Sequence, residues 1–289
     1  LTSATGRVPR LTAVRPVAVG HRVQVRMPPG LAVPDLEGQA ERLAAYLRLR
    51  ELRILRDRDN AQRATVTLVR TDPLARAVAL PWPLLDADRV SLWEPVPVGI
   101  SEEGEPVPVP LPERNVLIGG EPGAGKSVSQ SMLIAAAALD PEVDLTLFDG
   151  NQVEFAVWRP CAKAFVGPSI AQAIKVLRDL EELMDRRYAR LLDAGKRKVE
   201  PGSDLRLQVV AINELAFYLT MGDRSAVREF ASLLRDLVAR GRAAGIIVLA
   251  ATQRPSGDIV PTSLRDLIGF RWALRCATRD ASDTILGSG

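Results

Sequence analysis

Residues Gly120-Glu121-Pro122-Gly123-Ala124-Gly125-Lys126-Ser127 decide how this 289-residue chain is read. They lie between a strand-like apolar run, 115–118, and a helix-competent run that begins at Ser127. The spacing is G-x-x-x-x-G-K-[ST] in the strand–loop–helix setting that gives it meaning. Glycines at 120, 123 and 125 let the backbone curl so that successive N–H groups face one point. That point sits at a helix N-terminus, where the dipole favours negative charge. Lys126 is the first of only five lysines in a chain with 33 arginines, so composition does not account for it. A lysine here reaches the β- and γ-phosphates of a nucleoside triphosphate, and the Ser127 hydroxyl serves Mg²⁺. Gly120, Pro122, Gly123, Ala124, Gly125, Lys126, Ser127 and Val128 are the expected nucleotide-binding stretch, with ATP and Mg²⁺ as cofactors.

Outward from this loop, strands alternate with helices. Strands are predicted at 115–118, 143–148, 207–212 and 246–251, and helices after Ser127, over 170–192 and over 227–240. Such alternation implies a mostly parallel sheet covered by helices on both faces. The stripe Ile170, Ile174, Leu177, Leu180, Met184, Tyr188 and Leu191 is core packing of a long helix.

An aspartate ending a hydrophobic strand, followed by a glutamate, would hold the metal's hydration shell and activate water. Here the strand 207–212 is followed by Asn213-Glu214. Glu214 stands where the base is expected, whereas Asn213 offers a neutral oxygen in place of a carboxylate at the metal. Weaker magnesium binding and slow hydrolysis are therefore expected. A substitution that traps the nucleotide-bound state, natural loss of activity, or a site that tolerates asparagine would each produce this sequence. Asp149 ends the neighbouring strand; it could substitute for the missing carboxylate, but is expected instead to shape the Gly150 turn. Thr252 and Gln253 follow the next strand, where a polar side chain can sense a γ-phosphate. Arg240 and Arg242 close the helix 227–240, either as an arginine finger toward a neighbouring subunit or as ordinary C-terminal charges.

The first 76 residues carry 14 arginines, no lysine and seven acids, a local +7 within a net +3. This asymmetry suits nucleic-acid phosphates or a membrane surface, and equally an arginine-favouring solvated face. Strands at 11–18, 21–27, 52–56 and 64–70 around a helix at 35–49 read as a small α+β domain over 1–76. The proline-rich stretch 77–114 reads as linker and edge strands, and 115–289 as the nucleotide-binding domain, ending abruptly as though truncated. Two cysteines and one histidine, His21, exclude a disulfide framework, a Cys/His zinc site and a Ser-His-Asp triad. The longest apolar run, near 132–139, is too short to span a bilayer.

Gly120–Ser127, Asn213-Glu-Leu-Ala216, Arg242-Ala-Ala-Gly-Ile246, Ala251-Thr-Gln-Arg-Pro-Ser256 and Asp283-Thr-Ile-Leu286, in that order, resemble the motor region of the FtsK/SpoIIIE DNA translocases, actinobacterial plasmid-transfer and mobile-element members above all. The likeness extends into residues 10–76, similar to the small domain that precedes the motor core in these proteins. It implies a RecA-like P-loop ATPase core and a homo-oligomeric ring, commonly a hexamer, that pumps double-stranded DNA. It further implies a place in the cytoplasm at the inner face of the cell membrane, tethered through segments outside this chain. By position, Lys126 and Ser127 would bind phosphate and Mg²⁺, with Asn213 beside the metal. Glu214 would polarise water, Gln253 would sense the γ-phosphate, and Arg242 would complete the adjoining subunit's site. Residues 218–228 and 256–265 are candidate DNA-contacting loops. The alternative is a type VII secretion protein-export ATPase of the EccC kind, which shares this core; a nucleotide switch that never cycles is a third reading.

Overall fold

The computed structural model describes residues 1–75, 79–253 and 260–287. Arg76, at the end of the first expected domain, lies outside the described residues, as do Arg254–Ser256 of the Ala-Thr-Gln-Arg-Pro-Ser motif and the first part of the 256–265 segment. The chain divides into two compact units, Leu1–Trp82 with Gly99–Val107, and Pro83–Val98 with Pro108–Gly289.

In the first unit, strands β1 (Arg10–Val17) and β2 (Gly20–Arg26) are followed by helices α1 (Val33–Glu37) and α2 (Ala40–Tyr46). Strands β3 (Glu51–Arg56) and β4 (Arg63–Val69) complete an antiparallel sheet of order β1-β2-β4-β3. The single helix expected over 35–49 is thus two short helices. Pro34 and the Asp35 carboxylate, which accepts the Ala32 N–H at 2.7 Å, start the first of them, and Gly38 ends it. Gly20 has φ +148°, and a Cβ there would lie 2.1 Å from the Leu68 carbonyl oxygen, so the β1–β2 turn admits only glycine. Val23, Val25, Ala64 and Val66 alternate onto one face and bury against Val33 and Leu36.

Strands β5 (Val96–Ile100) and β6 (Pro106–Val109) form a two-stranded ribbon within the proline-rich stretch, and its tip belongs to the first unit. The second unit then runs β7 (Val116–Gly119), α3 (Lys126–Leu139), β8 (Val143–Phe148), β9 (Ala164–Val166), α4 (Ile170–Asp193), β10 (Leu207–Ile212), α5 (Leu215–Thr220), α6 (Arg224–Arg240), β11 (Ile246–Thr252), α7 (Thr262–Arg265), β12 (Phe270–Ala273) and α8 (Arg279–Leu286). Among the described residues its main sheet has six strands, parallel throughout, in the order β12-β7-β11-β10-β8-β9. β8, β10 and β11 are buried along their whole length, as continuous apolar runs covered on both faces must be.

Two buried amides lock the layers together. Asn115 donates to the Val238 carbonyl at 2.9 Å and accepts the Val248 N–H at 2.9 Å, joining β7, α6 and β11. Gln130, fully buried in α3, donates to the Ile212 and Leu249 carbonyls at 3.0 and 2.8 Å, fixing that helix beneath β10 and β11. No described helix is long and apolar enough to cross a membrane. Asn115→Ala strands a buried donor and a buried acceptor, so urea unfolding should show a loss of about 2 kcal/mol or more; an unchanged midpoint would remove Asn115 from this role.

Candidate functional site

Parallel strands deliver their C-terminal ends to one edge of the sheet, and the register sets Gly119 of β7 beside Thr252 of β11, with β10 the next strand along. The glycine loop leaves β7 at this edge. Gly123 and Gly125 take left-handed conformations, φ +73° and +99°. A Cβ at Gly120 would sit 2.9 Å from Leu274 Cβ, and one at Gly119 would sit 2.3 Å from Ile285 Cδ1 of α8. The Ala124 N–H closes on the Glu121 carbonyl at 3.1 Å. No side chain caps α3, so its first-turn amides at Lys126, Ser127 and Val128 lack acceptors within the helix. Pro122, Gly123 and Val128 are exposed, while Ala124 and Ser127 are half-buried.

Lys126 is buried, and its Nζ donates to the carbonyls of Gly120 at 2.9 Å and Glu121 at 2.7 Å. Burial pushes its pKa below the ordinary lysine value, against the opposing pull of Glu214, Glu154 and Glu121. A left-handed glycine cradle, uncapped helix amides and one ammonium form a donor-only set, which fits a polyphosphate.

Asn213 and Glu214 leave β10 at the same edge. The Asn213 Nδ2 lies 3.3 Å from Asp149 Oδ1, to which it donates. Asp149 is fully buried and also accepts the N–H groups of Asn151 at 3.2 Å and Phe155 at 2.9 Å, so it shapes the turn after β8. Glu214 caps α5. Its Oε1 accepts the Ala216 N–H at 3.2 Å and the Thr252 hydroxyl at 2.9 Å, and its Oε2 accepts the Gln253 N–H at 2.8 Å. One carboxylate thereby joins the ends of β10 and β11. Of the residues expected at Mg²⁺, Ser127 brings a hydroxyl and Asn213 an amide oxygen, neutral oxygens that suit this hard cation in kind without the usual carboxylate.

Lys126, Ser127, Asn213, Glu214 and Gln253 therefore gather at one edge, with the Gln253 side chain exposed. Arg242 does not join them. It is exposed in the turn before β11, whose seven residues span about 20 Å, so it lies at the far edge of the sheet. Arg240 is committed to Asp185 at 2.7 Å and Asp236 at 2.6 Å. Within the 218–228 segment, Tyr218 is buried, edge-on to Phe148 and stacked on Phe230. The Asn213–Asp149 contact and the anchoring by Gln130 were not foreseen. The isolated glutamine in the otherwise small and apolar α3, one turn after Lys126, was the available signal for the latter.

The FtsK/SpoIIIE family model matches residues 88–283. The DNA translocase FtsK of Staphylococcus aureus (strain Mu50) is 29% identical over 216 residues, covering 67% of this chain and 27% of that protein. The chain thus spans about a quarter of the length of this curated relative. In fold it is similar to the conjugation coupling protein TcpA of pCW3, solved in its monomer form with ATPgS. There the TM-score is 0.66 at 19% identity, over 99% of this chain and 83% of that one. It is also similar to the cytoplasmic domain of the type VII secretion ATPase EccC of Thermomonospora curvata, with a TM-score of 0.56 at 22% identity over 72% of this chain and 27% of that one. On the strength of the family match, which takes in both the glycine loop and the Asn213-Glu214 strand end, this chain belongs to the FtsK/SpoIIIE family.

Proposed function

We propose that the chain is the ATP-driven motor segment of a double-stranded DNA translocase of the transfer, conjugation or chromosome-partition type, and that asparagine at 213 slows its hydrolysis. The observation that carries this reading is the meeting of the glycine loop, Lys126 and Glu214 at the carboxyl edge of one parallel sheet, where open α/β sheets bind ligands. Main-chain amides of 120–128 hold phosphate oxygens, and Lys126 adds its ammonium by exchanging the Gly120 and Glu121 carbonyls for them. Bound Mg²⁺ supplies charge neutralisation across the phosphates, and Ser127 and Asn213 are the residues that would hold it. Glu214 takes a proton from water. Three donors among the described residues hold this carboxylate in place. Thr252 positions Glu214. Gln253 is the γ-phosphate sensor by position.

Arg242 lies at the edge remote from its own loop, so its role is in trans, in a ring of like chains, commonly six. Cytoplasmic placement at the inner membrane face belongs to the same reading, through segments outside this chain. DNA as cargo is supported by the identity to FtsK and by the extent of the likeness to TcpA. The fold likeness to EccC supports protein export as the second reading.

Steady-state ATP turnover should be slow, stimulated by duplex DNA, and raised at least about tenfold by Asn213→Asp, with Lys126→Ala inactive in both backgrounds. Equal turnover for the asparagine and aspartate forms would exclude Asn213 as the brake. Absent DNA stimulation together with binding of an export-signal peptide would favour export. Glu214→Gln should retain ATP binding while losing at least about a hundredfold in turnover. Asn213→Asp also sets a second carboxylate against buried Asp149, so without Mg²⁺ its unfolding free energy should fall by about 1–3 kcal/mol and recover when Mg²⁺ is added.

A further inference from the structure

The outer face of the small unit's sheet carries chemistry that the ATP site does not use. Strand register places Arg15 of β1 opposite Arg22 of β2, Arg22 opposite Thr67 of β4, and Thr67 opposite Arg53 of β3. Three arginines and a threonine thus form one cross-strand row. Neighbouring strands lie about 4.8 Å apart, so the row is roughly 14 Å long. It crosses a groove of about 740 Å³ whose floor adds Gln24 and Thr65.

Carboxylates already lie against this row. The turn between β5 and β6 reads Ser101-Glu102-Glu103-Gly104-Glu105 and is held by the Ser101 Oγ, which accepts the N–H groups of Glu103 and Glu105 at 3.2 Å each. Gly104 takes φ +80° within it. Glu103 pairs with Arg22. Arg53 faces Glu102 at 3.5 Å, donates to the Glu102 carbonyl at 3.1 Å, and pairs with Glu51 on its own strand. Partly exposed pairs of this sort add little to stability. What they do is hold anionic oxygens in front of guanidinium forks, the geometry by which arginine also takes phosphate.

We infer that this face is a phosphate-backbone groove for duplex nucleic acid, with Arg15, Arg22 and Arg53 as its contacts and the Glu102–Glu103 turn as a built-in competitor that DNA displaces. The inference rests on the DNA reading above and names the site through which the small unit would take part. Among the groove residues there is no aromatic side chain on which a base could stack, which favours a backbone over unpaired bases. Threonine and glutamine on the floor supply neutral hydrogen bonds that phosphate oxygens and sugar tolerate. Displaced carboxylates take up cations and offset part of the counterion release, so neutralising the turn makes binding depend more steeply on salt.

The test is duplex DNA binding by the full chain, followed by fluorescence anisotropy across a salt series, with thermal melting and ATP binding confirming each variant as folded. Glu102→Gln with Glu103→Gln should tighten binding about threefold or more. Arg15→Ala, Arg22→Ala and Arg53→Ala together should weaken it at least about tenfold and lower the salt slope by roughly 2 to 3, at about 0.9 per phosphate contact. Duplex binding that is equal in all forms would overturn the groove and leave the DNA reading standing. No duplex binding in wild type or in the glutamine form would remove the DNA reading and the groove with it. Tightening on phosphatidylglycerol vesicles but not on duplex, in the glutamine form, would assign the face to lipid and overturn the inference.

Discussion

Eight consecutive residues must curl so that several main-chain N–H groups aim at one point, and much of the second unit answers to that requirement. Left-handed backbone at Gly123 and Gly125 turns the chain, and Gly119 and Gly120 leave room for Ile285 and Leu274 to press against it. The Lys126 ammonium bonds the Gly120 and Glu121 carbonyls of the same loop and so braces its curl. Gln130 carries the constraint inward by tying the helix that starts at Lys126 to β10 and β11. The side chains on those strand ends then keep a fixed distance from the loop.

The end of β10 shows how a single atom type changes the chemistry of such an edge. An amide at 213 can donate to Asp149, a bond that an ionised carboxylate in its place could not make. The same amide withholds a negative charge from the metal position. Glu214 is left as the carboxylate on that strand end, and it is held by β11 through Thr252 and the Gln253 N–H. Anything that shifts the end of β11 therefore moves the Glu214 carboxylate, a direct mechanical link between the two strand ends.

Much of this was legible in the residues. The glycine–lysine spacing, the apolar runs at 143–148, 207–212 and 246–251, and the helical stripe from Ile170 to Leu191 reported period and burial, and these became β8, β10, β11 and α4. Short elements were not legible: β9 has three residues and β12 reads Phe-Arg-Trp-Ala, too little for a period to show. The helix expected over 35–49 broke at Gly38, where apolar spacing continued but the backbone did not. Contacts between distant residues escaped for a different reason. Asn213 with Asp149, and Arg22 with Glu103, depend on which strands become neighbours and on the course of a ribbon, and local sequence carries neither.

Isothermal titration of ATP with Mg²⁺ into the folded chain probes the loop most directly. Saturable binding of one nucleotide per chain, lost when Lys126 is replaced by alanine, is the result expected of a triphosphate cradle. Heat no greater than dilution in the wild-type chain would contradict it, and the motor reading would fall with the cradle.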